Sequence, residues 1–146
     1  SGSASSIAAA YAANTAGTIT GLGNEAVTIT STGAILAADI NSINAGTSGV
    51  VTANNVTTLS GTASAVNAAY AANTAGTIAG LGNEALTVTG GISVADFNTL
   101  AADTQGTITA TITDTDATTL KTISESGHNL SITIGDVTKV ISSPLK

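Results

Sequence analysis

The chain has 146 residues, of which 70 are Ala, Thr or Gly; 8% are charged, 2% are aromatic, and Cys, Met and Trp are absent. The net charge is −6 and no basic residue precedes Lys121, so nucleic-acid binding and attraction to anionic lipid lack the cations they require. No apolar run approaches the roughly 18–20 residues of a membrane-spanning helix, a single His and three Lys argue against an enzyme or a zinc protein, and 42% apolar residues argue against disorder.

In chain order, residues 1–4 read as a cloning remnant and 5–146 as one α/β domain. Ile7, Ala10, Tyr11 and Asn14 follow the i, i+3, i+4, i+7 spacing that predicts a helix. Gly17–Thr20 and Val27–Thr30 alternate at period 2 and predict short strands. Between them Gly21–Asn24 (Gly-Leu-Gly-Asn) supplies turn chemistry for joining paired strands. Leu36, Ile40 and Ile43 share one face of a second helix, and Val66, Ala69, Tyr70 and Asn73 repeat the pattern of the first. Gly80–Asn83 and Leu86–Thr89 repeat its turn and strand. Val94, Phe97 and Ala101 predict a further helix, with Ser93 and Asp96 as its capping box. Thr107–Thr113 and Leu130–Ile134 complete the expected strands.

Ala9–Thr30 recurs as Ala68–Thr89, a sequence offset of 59, and the copies differ only at Thr20/Ala79, Val27/Leu86 and Ile29/Val88. A shorter signature, Thr-x-Gly, recurs at Gly17, Gly49, Gly76 and Gly106, with successive differences of 32, 27 and 30. These intervals predict a unit of about 30 residues, within the range of stacked repeat architectures. Each unit would hold a helix and two short strands that stack in parallel on the next. Two double repeats (about 3–61 and 62–120) and a C-terminal coil (121–146) follow. Such a unit cannot bury a core alone, whereas stacked copies can, so the expected fold is an α/β repeat solenoid; a compact α+β domain is the rival.

Val56–Ala63, Ala68-Ala69-Tyr70 and Gly80–Val88, with the phrase Gly-Leu-Gly-Asn-Glu-Ala, resemble a repeat of very large cyanobacterial cell-surface or secreted proteins. These are often grouped with haemolysin-type calcium-binding proteins, and the resemblance covers roughly residues 5–113 and, more loosely, Asp114–Ile134. It implies an extracellular, multi-copy spacer or adhesin segment whose partners are neighbouring repeats of the same parent chain. The Gly-Gly-x-Gly-x-Asp calcium nonapeptide of that grouping is absent, so calcium-dependent folding is not implied.

Few residues carry chemistry. Asp114 and Asp116 offer hard oxygen ligands for calcium; the alternative is that either Asp caps a helix over Ala117–Ser124. No other cofactor is expected. Glu25 and Glu84, equivalent in the two copies, would form a carboxylate edge for a weak cation, a glycan or a cell surface, or else solubilise their turns. Tyr11 and Tyr70 either stack on a sugar or fill gaps among alanines. His128, the single imidazole, sits in an expected turn without a nucleophile or acid spaced for catalysis. The expected function is therefore non-enzymatic: an extracellular structural spacer or adhesive surface, with a carbohydrate- or surface-binding module, calcium-assisted or not, as the alternative.

Overall fold

The structure, a computed structural model, describes residues 1–124 and the backbone of 130–134. Helix α1 (Ala4–Thr15) begins where the Ser3 hydroxyl oxygen accepts from the Ser6 amide. It ends at Gly17, whose φ of 75° turns the chain out of the helix. Strands β1 (Val27–Thr28) and β2 (Ala34–Leu36) follow, and α2 (Ala37–Gly46) runs directly out of β2 without a side-chain cap. After β3 (Val51–Thr52) and β4 (Thr58–Gly61), helix α3 (Ala63–Thr74) repeats the plan of α1, with Thr62 as cap. Next come β5 (Ile78–Ala79), β6 (Ala85–Ile92) and α4 (Val94–Asp103). The expected Ser93–Asp96 cap is formed: the Ser93 hydroxyl accepts from the Asp96 amide at 3.1 Å and donates to the Asp96 carboxylate at 2.8 Å. Strand β7 (Ile108–Ile112), the single turn α5 (Ala117–Leu120) and β8 (Leu130–Ile134) complete the described chain.

The chain is α/β, and every strand pair among the described residues is parallel. One sheet has the order β1-β3-β5, the other β2-β4-β6-β7-β8. Along the larger sheet Ile35, Leu59, Leu86, Ile108 and Leu130 are successive register partners. The first four are buried, and outward positions of the same strands carry Leu36, Thr87 and Thr109. The helices pack in chain order, α1 on α2, α2 on α3, α3 on α4. They send Tyr11, Ile40, Ile43, Val66, Tyr70, Phe97 and Leu100 into one core.

Several sequence expectations are corrected. The register partners of the larger sheet step along the chain by 24, 27, 22 and 22. Each step is shorter than the expected unit of about 30, and the four Thr-x-Gly signatures are of two kinds. Gly17 and Gly76 end helices at φ 75° and 79° with nothing within 4 Å of an added Cβ. Gly49 and Gly106 have no positive φ, and an added Cβ there would meet the Glu25 and Glu84 carbonyl oxygens at 2.3 and 2.2 Å. The first kind marks a helix end and the second a close approach to an earlier loop of the chain.

The Gly-Leu-Gly-Asn segments do not join paired strands; Gly80–Asn83 connects β5 to β6, which lie in different sheets. Leu36 does not share the buried face of Ile40 and Ile43: it ends β2 and is 54% exposed. Gly17–Thr20 is not a strand, although its copy Ile78-Ala79 is β5. Residues 1–4, expected to lie outside the domain, belong to it. Gly2 pairs with Ile29, Ser3 caps α1, and Ala4 is buried.

Candidate functional site

The duplicated residues Tyr11/Glu25 and Tyr70/Glu84 come together twice. In each copy the long helix carries the Tyr, and the Gly-Leu-Gly-Asn-Glu loop returns the Glu to it. Asn at the helix end fixes that return. Asn14 Oδ1 accepts from the Leu22 amide at 3.3 Å, and Asn73 Oδ1 from the Leu81 amide at 3.2 Å. The Tyr11 hydroxyl then donates to the Glu25 carboxylate, and the Tyr70 hydroxyl to that of Glu84. The other carboxylate oxygen takes two backbone amides, Gly23 (2.9 Å) and Asn24 (3.1 Å) in the first copy. In the second these are Gly82 (2.8 Å) and Asn83 (3.1 Å).

This corrects the expected carboxylate edge. Glu84 is only 2% exposed and Glu25 is half-buried, and both have their oxygens taken by donors of their own copy rather than offered to a cation or glycan. A buried carboxylate is tolerated when its oxygens are occupied in this way. The Tyr11 hydroxyl and, next, the Gly23 amide hold Glu25 down to about 2 from an ordinary 4.5. Burial, and then the neighbouring Glu84 carboxylate, raises the Tyr70 hydroxyl pKa. The tyrosines are buried core residues, as the gap-filling alternative expects. Their pairing with Glu is the feature that sequence reading missed, although a constant Tyr-to-Glu spacing of 14 in both copies signals it.

The same turns anchor the next unit. Thr47 Oγ1 donates to the Glu25 carbonyl at 2.7 Å and Thr104 Oγ1 to the Glu84 carbonyl at 2.8 Å. The Ser48 and Gln105 amides each donate at 2.8 Å, to the carbonyls of Gly23 and Gly82. Asn41 Nδ2 reaches the Ala65 carbonyl at 2.8 Å and Asn98 Nδ2 the Thr122 carbonyl at 2.9 Å, the same step along the chain in both cases. The turns are therefore tied by hydrogen bonds to the segment that follows each of them along the chain.

Asp114 and Asp116 are directed to two different helix starts. Asp114 Oδ2 accepts from the Val94 amide of α4 at 2.6 Å. Asp116 Oδ2 accepts from the Thr119 amide of α5 at 3.0 Å, and the Thr118 hydroxyl, followed by that amide, lowers its pKa. The geometry is that of the capping alternative. No group of three or more His, Cys, Asp or Glu that could hold a metal occurs among the described residues. His128 lies outside those residues. Between α1 and α2 runs a groove of about 650 Å³, lined by Ala, Ser and Thr together with Tyr11, Asp39 and Gly46. Its chemistry is that of packed small side chains, with Asp39 as its one carboxylate. No helix among the described residues is long and apolar enough to cross a membrane. No family model, curated protein or solved structure matches the chain.

Proposed function

We propose that this chain is a non-enzymatic segment of an α/β solenoid, serving as a spacer or adhesive stalk within a larger extracellular or cell-surface protein. One observation carries the reading: the contacts between successive units recur with the sequence. Thr47 to Glu25, Ser48 to Gly23 and Asn41 to Ala65 return as Thr104 to Glu84, Gln105 to Gly82 and Asn98 to Thr122. A set of joints that repeats in one direction extends without closing, and a mechanical element requires that property. Strand pairing in parallel and in chain order supports it. The extracellular setting rests on the resemblance to surface-protein repeats and on a Cys-free composition.

Tandem expression of one, two and three copies, followed by small-angle scattering, tests the spacer. The maximum dimension should grow by a constant increment per copy, and a dimension that grows as for a string of independent globules refutes it. The carbohydrate- or surface-binding alternative through Glu25 and Glu84 has lost its ligating oxygens to Tyr and backbone donors. A glycan array should be flat. Melting with and without millimolar calcium should give the same Tm; a rise would return Asp114 and Asp116 to consideration.

A further inference from the structure

The two copies of one sequence meet different neighbours, and the difference exposes a vacant seat. Ile78 is 0% exposed because β5 pairs with β3 (Val51↔Ile78), whereas its counterpart Ile19 is 43% exposed. Val66, Ala69 and Glu84 are buried, while their counterparts Ile7, Ala10 and Glu25 are only half-buried. An added Cβ at Gly80 would run into Asn54 of the preceding unit, but at Gly21 it would meet nothing within 4 Å. A cavity of about 300 Å³ opens at this end among Ile7, Ala10, Tyr11, Leu22, Glu25 and Val27.

The strand that would begin to fill the seat is already present. Ser1-Gly2-Ser3 aligns with Ser60-Gly61-Thr62 at the same offset of 59. Gly2 pairs with Ile29 in parallel, as Gly61 of β4 pairs with Val88 of β6. The Gly2 amide donates to the Thr28 carbonyl at 3.2 Å, and the Thr30 amide donates to the Gly2 carbonyl at 2.9 Å. The remaining occupant in the second copy is known: β3 covers β5, β4 covers the start of β6, and Asn41 of α2 bonds the Ala65 carbonyl.

We propose that the face formed by Ile7, Ala10, Ile19 and Leu22 is a docking seat for one further α–β–β unit of the α2–β3–β4 type. Its strands would add to residues 18–20 and to β1 in parallel, and its helix would lie on α1. This rests on the solenoid reading and names the partner that such a solenoid takes at this end.

The test splices a second copy of residues 32–59 directly before Ser1, which keeps the natural step from Leu59 to Ser60. Tm should rise by about 5 °C or more, and the amides of residues 18–20 should exchange with solvent at least tenfold more slowly. The same extension carrying Ile40→Asp and Ile43→Asp in the added segment should produce neither effect. Unchanged exchange at residues 18–20 overturns the proposal, even if Tm rises. Concentration-dependent dimerisation of the unextended chain that protects residues 18–20 also overturns it, by placing a second copy of the chain there. Growth of the tandem chain by scattering tests the solenoid itself, whereas protection at 18–20 tests only this seat.

Discussion

At the scale of single residues, the Tyr–Glu pairs put a carboxylate into or beside the core and make it depend on its donors. Tyr70→Phe leaves one oxygen of the buried Glu84 without its donor, and removing one partner of a buried charged hydrogen bond costs about 2–3 kcal/mol. Tyr11→Phe should cost clearly less, because water reaches the half-buried Glu25 and replaces the lost hydroxyl. Chemical denaturation of the two variants checks the order, and equal losses would show that the two pairs are equally dry. Glu25 also sets a pH response. Its pKa is depressed to about 2 from an ordinary 4.5, so its stabilisation is complete above 4.5 and is lost as pH falls towards 2. The Tm difference between the native chain and Glu25→Gln should therefore shrink across that interval, and a constant difference would contradict the assignment. Sequence alone placed both residue types correctly in the repeat. It did not show that they meet, because the loop that brings Glu to Tyr is held by Asn14 and Asn73, whose reach is a three-dimensional property.

At the scale of elements, one signature does two jobs. Gly106→Ala drives a Cβ into the Glu84 backbone at 2.2 Å, which neither segment can relieve without parting, so a loss of about 2–3 kcal/mol is expected. Gly49→Ala should behave alike, against Glu25 at 2.3 Å. Gly76→Ala meets no atom but must hold φ near 79°, a left-handed conformation that costs an L-residue about 1 kcal/mol. Thermal melts of these variants should fall into two groups, and a single group would contradict the distinction. Helix starts were legible where a Ser or Thr cap stands before an apolar spacing, as at Ser93. The two-residue strands β3 and β5 were less so: a pair such as Val51-Thr52 carries little periodicity and becomes a strand only when a neighbour lies about 4.8 Å away.

At the scale of the whole molecule, neighbours decide what a sequence becomes. Thr-Ala-Gly-Thr-Ile occurs at 15–19 and at 74–78, yet Ile19 is exposed and Ile78 is core. Ile78→Ala should cost about 2–4 kcal/mol and Ile19→Ala less than about 0.5 kcal/mol, as large-to-small changes do in a core and on a surface. Equal costs in urea denaturation would mean that Ile19 is buried in solution. The same dependence governs the sheets, since Val27 of the first copy lies in the three-stranded sheet and Leu86 of the second in the five-stranded one. By itself the sequence determined the α/β class, the approximate helix positions, the Ser93 cap, the inward faces of β6 and β7, and the duplication. Those features follow from local propensity and periodicity, which a chain carries within a short stretch. Only the tertiary structure decided which strands pair, that Glu84 is buried, and that residues 1–4 join the fold. It also decided which of two identical segments is a strand, because each outcome depends on a partner one unit away along the chain supplying hydrogen bonds and removing water.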